Sequence, residues 1–266
     1  MDELVLYRYI VSARIRSDWQ YRTSFLLFTL SQAIINSVEF AAILILVNLV
    51  PSLGGWSVAE VAFLYGLASV PFAIADIFIS SIDRTSQYVQ SGEMDRLLLR
   101  PVSPLVQLVS LEFELRRVGK VIPSLVVLVW AIINVDVSWR PGEVALLLGA
   151  LICGVAIYAA LWIGTSSAAF WFVATQEAAN AFTYGGEFAN EYPLHLYRGW
   201  IRAVLGWIVP LAFVAYVPSQ VILDAENPLE LPSWLVFLSA PVAALALGIA
   251  LLTWRLGIRQ YQSTGS

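Results

Sequence analysis

The sequence predicts an all-α polytopic membrane protein with six transmembrane helices and an amphipathic interfacial helix at the N-terminus. Three observations predict it. Hydrophobic residues make up 59% of the 266-residue chain and charged residues 13%, with a mean hydropathy of +0.76; a soluble domain carries about twice that charged share. Several apolar stretches exceed the roughly 20 residues needed to cross a bilayer core. Those runs are continuous rather than alternating, which selects helices over a barrel. The net charge of −4 decides little, because in a membrane protein the placement of positive residues carries the information.

Residues 2–21 come first. Leu4, Tyr7, Val11, Ile15 and Trp19 recur at helical spacing, while Arg8, Ser12, Arg14 and Arg16 lie off that stripe. The pattern predicts an interfacial helix over 1–22 with its basic side towards lipid phosphates. No short apolar core followed by a cleavage site is visible, so the first span is expected to act as an uncleaved anchor. That span covers about 24–49 and ends at Val50-Pro51; the second covers about 58–82. The charged island QYVQSGEMDRLLLRPVSP, residues 87–104, interrupts the apolar pattern. Ser91 and Gly92 can begin a helix there, Glu93 and Asp95 place acids in its first turn, and Pro101 supplies a stop. A half-polar stretch to Lys120 includes Glu112, Glu114, Arg116 and Arg117. The third span is expected at about 119–135 and the fourth from Glu143 to about Val173, longer than a bilayer requires. Residues 176–202, with Glu177, Glu187, Glu191, Arg198 and Arg202, read as a second cytosolic connection. The fifth span is expected at 203–223, broken by Pro210 and Pro218 or partly re-entrant there, and the sixth at 233–254. All of this forms a single permease-sized domain over 1–266.

Six spans put both termini on one side, and the arginines choose it. With the N-terminus inside, 14 of the 15 basic residues fall on the cytoplasmic side or its border, and only Arg140 lies outside. Trp56, Trp139 and Trp234 each stand at an expected outer boundary, where indole rings favour the interface. The expected location is the plasma membrane (the inner membrane in a bacterium).

No enzyme signature is present. The phosphate-cradling GxxxxGK[ST] pattern is absent, His195 has no metal-ligand partners in sequence, and neither HExxH nor GxSxG occurs. Cys153 is the one cysteine, so no internal disulfide and no cysteine-based metal site are available. Metal-binding, cofactor and nucleic-acid roles are not expected. Gln32, Asn36 and Glu39 fall at i, i+4 and i+7 on one face of the first span, and Asp76 lies in the inner part of the second. Ionisable groups at membrane depth are costly and face protein or water, so these four are candidates for a translocation path; the competing reading is that they hold helices together. Proton coupling through Glu39 and Asp76 defines an alternative, a secondary transporter, though no internal repeat supports it. A membrane anchor or assembly protein without transport activity is a third. Small residues recur every fourth position as Ala156, Ala160, Gly164 and Ala168, and again as Ala240, Ala244 and Gly248; packing within one subunit is the expected use.

Two segments resemble a known family. SGEMDRLLLRPVSPLVQLV resembles the pattern Gly-x-Leu/Met-Asp-x-x-Leu-Leu-x-Pro of ABC-transporter permease subunits, in the type-2, exporter-like branch of about 260 residues. FANEYPLHLYRGWIRAVLGWIVPLAFVAYVPSQVIL is similar to that branch's Tyr-Pro segment followed by a proline-broken span. The resemblance implies a half-transporter that pairs with an identical or sister permease and with two copies of a separate ATPase, where ATP and Mg are bound. It implies that the island is a cytosolic coupling helix docking into the ATPase. The residues concerned are Gly92, Glu93, Asp95, Arg96, Arg100 and Pro101, with Leu97, Leu98 and Leu99 as apolar anchor, and with Tyr192 and Pro193 from the second segment. No cofactor is expected on this chain.

Overall fold

The computed structural model describes residues 3–49, 55–111, 113–172 and 175–262. The expectations placed on Glu112, Val173, the Val50-Pro51 span end and the side chain of Leu4 lie outside what is described. The described residues form helices and no strand. In order they are α1 (Glu3–Gln20), α2 (Arg22–Leu49), α3 (Val58–Ile79), α4 (Thr85–Gln90), α5 (Glu93–Leu98), α6 (Pro104–Leu111), α7 (Val118–Asn134), α8 (Pro141–Ser167), α9 (Gln176–Asn190), α10 (Gly199–Ala203), α11 (Tyr216–Leu223) and α12 (Ser239–Gln260). Five helical stretches are long and apolar enough to cross a membrane, and a sixth is reached if the bent pair Gly199–Ile208 and Leu211–Leu223 counts as one span.

Helix α3 is the axis of the bundle. Ser57 caps it by accepting from the Glu60 amide, and the Glu60 carboxylate accepts in return from the Ser57 amide at 2.6 Å, a reciprocal arrangement that fixes the first turn. From Val61 to Ala73 the helix is buried on every side, which is why its sequence shows no amphipathic stripe. Helices α7 and α8 line two of its flanks, α2 closes on α7, and α12 runs along α8. Close approach is written into glycines. A Cβ on Gly66 would stand 2.9 Å from the Leu128 Cα, and one on Gly119 would stand 2.2 Å from the Thr29 carbonyl oxygen. The small-residue stripe of α8 does face α12, with Gly164 opposite Ala250. The second stripe does not: Ala240, Ala244 and Gly248 are exposed, and α12 presents Ala243, Ala250 and Trp254 to its neighbours instead. Spacing alone had left the choice of face open.

Between 176 and 223 one expectation is corrected and, of two alternatives, the re-entrant one is taken. At one end, Gln87 donates to Gln176 at 3.1 Å beyond the C-terminus of α3; at the other, His195 lies 6.2 Å from Trp56, just before the α3 N-terminus. Residues 176–195 therefore run the full length of α3 rather than lying outside the bundle as a connection. Nor is 203–223 one crossing. Its two limbs are bent by 68°. Leu211 shares the level of Gly186 and Leu161, and Val214 that of Gly154 and Pro71. Tyr216 then stacks on Trp56 at 5.7 Å, and the Glu226 carbonyl accepts from the Trp56 indole at 3.2 Å. His195 before the pair and Glu226 after it both meet Trp56, so the chain enters and leaves by the same end. Five π-helical residues, Val204–Ile208, lead into the bend, a distortion that accompanies breaks in membrane helices.

Trp56 is consequently no interface ring. It is fully buried in an aromatic box with Tyr216 and His195. Trp139 is half-buried against Phe63, and only Trp234 is exposed as expected. Gly119→Ala is expected to destabilise the protein by about 1–3 kcal/mol through overpacking against α2. A lower melting temperature in detergent, with Gly149→Ala as an unhindered control, checks it.

Candidate functional site

Four helices each turn one polar stripe towards a common seam. Helix α2 supplies Gln32, Asn36 and Glu39, α3 supplies Ser69 and Asp76, the start of α7 supplies Arg117 and Lys120, and α9 supplies Tyr184, Glu187 and Glu191. Spacings of three, four and seven residues keep each set on one helical face.

Asp76 is the centre. It has no exposure, and its Oδ1 is paired with the Arg117 guanidinium while Lys120 Nζ stands 3.3 Å from Oδ2. Tyr184 Oη accepts from Arg117 at 3.3 Å. Lys120 Nζ also lies over the rings of Phe72 and Tyr184, at 5.3 and 5.2 Å. Arg117 continues outwards to Glu114 at 3.0 Å, and Glu114 Oε1 takes Arg116 at 3.1 Å and Arg84 at 3.2 Å. Burial works to raise the Glu114 pKa, but the charges and hydrogen bonds of Arg117 and Arg116 outweigh it and hold the carboxyl below the usual range.

The network separates two cavities. Towards the Gln87–Gln176 end lies one of about 390 Å³, lined by Asp83, Arg84, Glu114, Arg117 and Asn180 among others. Deeper in the bundle lies one of about 150 Å³, lined by Gln32, Asn36, Glu39, Lys120, Glu187 and Glu191. Tyr184 borders both. Three of the four expected path residues thus share a cavity. Asp76 does not line it; both its oxygens are committed to cations. Glu187 and Glu191 were missed because 176–202 was read as a connection. The signal was present in TYGGEFANEY, whose Tyr184, Glu187 and Glu191 keep a single-face spacing on a helix of small and apolar residues.

The island folds as expected in outline. Gly92 adopts φ 73° between α4 and α5, a left-handed turn that glycine takes without a Cβ penalty. Gln107 Nε2 donates to the carbonyls of Leu97 and Val102, both at 2.9 Å, and fastens the end of α5. The leucines divide, however. Met94 and Leu97 are buried in the protein's own core, whereas Leu98 is at the edge of exposure and Leu99 is 85% exposed. Glu93, Arg96 and Arg100 are exposed with them. Asp95 is half-buried beside Tyr261, whose phenol is raised by burial first and then by that carboxylate. Tyr192 packs on Phe188, and Pro193 leads towards His195 and the Trp56 end. Both stand remote from α5 and share no face with it.

Such an assembly, polar seams inside an apolar helical bundle with a charged ledge at one end, is that of a polytopic helical membrane protein. The family model described as ABC-2 family transporter protein matches residues 33–265. The chain belongs to that family and is a multi-pass membrane permease of the ABC-transporter type. No curated protein matches the chain, and no solved structure does.

Two measurements test the network. Asp76→Asn leaves two partly buried cations facing a neutral amide, and removing the buried partner of such a pair is expected to cost about 2–4 kcal/mol, below the fully buried case; Glu39→Gln, on an exposed residue, is expected to change stability by less than about 1 kcal/mol. Melting of both variants in the same detergent compares them. The depressed Glu114 carboxyl contributes stability that is present above its unfolded pKa and is lost as pH falls through the lower folded value. Stability attributable to Glu114 is therefore expected to be flat above about pH 5 and to decline in acid below about pH 4. Glu114→Gln is expected to flatten that acid limb.

Proposed function

We propose that this chain is the permease half of an ATP-driven exporter, working with a separate ATPase subunit that grips α5 and with a second, identical or sister, permease. One observation carries the reading. The exposed ledge of Glu93, Arg96, Leu98, Leu99 and Arg100 is tied through buried Met94 and Leu97 to the same chain stretch that continues, by α4 and the 3₁₀ turn Ser80–Arg84, into α3. A load on the ledge is delivered to the axis of the bundle and to Asp76. A mixed charged and apolar ledge suits a polar docking contact with a small hydrophobic centre.

Hydrolysis is assigned to the partner, and with it ATP and Mg. The ledge end faces the cytoplasm and carries both termini. Arg198 and Arg202 follow His195 at the opposite end, so twelve of the 15 basic residues remain on the α5 side, still a strong bias for that orientation. A second permease is supported by Glu39, which is exposed on a single chain although an ionisable side chain at membrane depth is expected to face protein or water. The proton-coupled alternative through Glu39 and Asp76 loses support because Asp76 does not line the cavity that Glu39 lines and is paired with Arg117 and Lys120 instead.

Leu99→Asp combined with Arg100→Glu is expected to lower recovery of the ATPase in a mild-detergent pull-down at least tenfold, while membrane insertion and melting stay unchanged. Undiminished recovery would remove α5 as the docking element. ATP-dependent efflux into inverted vesicles, insensitive to collapse of the proton gradient, is the expected transport result.

A further inference from the structure

The geometry points to the inner cavity as a binding site for an organic ammonium group, an inference that rests on the permease reading above and names the chemistry of its cargo. Glu39, Glu187 and Glu191 bring three carboxylates to about 150 Å³. Among the described residues Lys120 is the one basic residue lining it, and its ammonium is held by Asp76 and by the faces of Phe72 and Tyr184. The cavity therefore has more carboxylate than it has cation to pair with. Glu191 supplies the independent observation. It is 3% exposed; its Oε1 accepts from Ser69 at 3.2 Å, and its Oε2 has no hydrogen-bond partner among the described residues. An unpaired carboxylate oxygen buried at membrane depth is costly and needs a positive or proton-donating group. Asn36 adds a further polar group, with one of its two Nδ2–H donors given to the Gln32 carbonyl at 3.1 Å.

The remaining chemistry selects the cation. An anion finds no uncommitted cation in the lining, since Lys120 is held by Asp76. Among the described residues, no group of three His, Cys, Asp or Glu side chains is disposed to hold a metal ion. The space accommodates a compact head group and is too small for a whole lipid or glycan, so a larger cargo would place only its ammonium here. Weak hydration lets an organic ammonium enter an apolar bundle more cheaply than a small inorganic cation, and it needs no fixed coordination geometry.

Calorimetric titration of the full-length permease in detergent, without nucleotide or ATPase, tests the site directly. The probe is (2-hydroxyethyl)trimethylammonium, with 3,3-dimethylbutan-1-ol as its neutral isostere. The ammonium is expected to bind at least tenfold more tightly than the alcohol, and Glu191→Gln to weaken it at least tenfold with no effect on the alcohol. Should Glu191→Gln fail to fold, exposed Glu39→Gln serves, with at least a threefold loss expected. Equal affinity for the two probes overturns the proposal, as does ammonium binding that survives both substitutions. Absence of ammonium binding between pH 6 and 8 overturns it as well, and assigns the carboxylates to protons. Because no ATPase is present, these outcomes are independent of the pull-down: failure of the unsubstituted permease to recover any ATPase, with ammonium binding intact, rejects the transporter reading alone.

Discussion

The pairing of Asp76 with Arg117 and Lys120 is the constraint on which the rest of the bundle depends. A carboxylate with no exposure can stay ionised beside a lipid-facing helix only if its partners are fixed in advance. That requirement explains several features together. It places the start of α7 against the last turns of α3, since Arg117 and Lys120 both reach one carboxylate. It explains the 3₁₀ turn Leu115–Arg117, which sets Arg117 between Asp76 and Glu114. It also positions α9, because Tyr184 accepts from the same guanidinium. Lys120 then fills the space between Phe72 and Tyr184 with a charge whose geometry suits the ring faces.

From that centre the chain is mechanically short. Asp76 lies three residues before the end of α3, the Ser80–Arg84 turn follows without a loop, and α4 leads to the Gly92 elbow and the α5 ledge. The other end of the chain is fastened to the same ledge. Phe170 packs on Trp254 at 5.1 Å and on Tyr261 at 6.3 Å, while Trp171 donates to Gln260 at 3.1 Å and Tyr261 approaches Asp95. The ledge is therefore held by α3, by α6 through Gln107 and by the C-terminal end of α12. Rigid elements joined without slack carry a displacement further than a loop does, which suits a part that must report on one site to another.

Composition and apolar run length were enough to read an all-helical membrane bundle, and α2, α3, α7, α8 and α12 fall near their expected ranges. The start of α5 at Gly92 was legible too, because acids follow it and Pro101 supplies a stop; the left-handed turn that joins it to α4 was not. What escaped was α9. Hydropathy reads each residue as if it met lipid, and Glu187 and Glu191 lower the score of a helix that meets protein instead. The polar stripe of α2 was visible because its surroundings were uniformly apolar; the stripe of α9 was masked by Gln176, Glu177, Asn180 and Asn190 around it. The misreading of Trp56 has the same origin. A tryptophan next to a span end suggests an interface ring, and only the long-range packing of Tyr216 and His195 shows it to be internal. Leu97, Leu98 and Leu99 were read as one anchor, but helical rotation separates consecutive residues by about 100°, so one points to the core and its neighbours away.

The distribution of ion pairs also decides which seam of the bundle can part. Separating α3 from α7 would strand Asp76 against Arg117 and Lys120, a loss of several kcal/mol in a buried setting, and would open the tight contact of Gly66 with Leu128. Those helices must move as one. Helix α12 is similarly committed to α8 along its length. Helices α2 and α9 are different: they face each other mainly across the inner cavity, and the groups between them are carboxylates and amides rather than locked pairs. Among the described residues no ion pair joins them, so widening that seam would expose groups that water can satisfy. Among the seams described, the one between α2 and α9 is thus held by no locked pair, on the face where Glu39 is exposed, whereas the network at Asp76 binds α3 to α7.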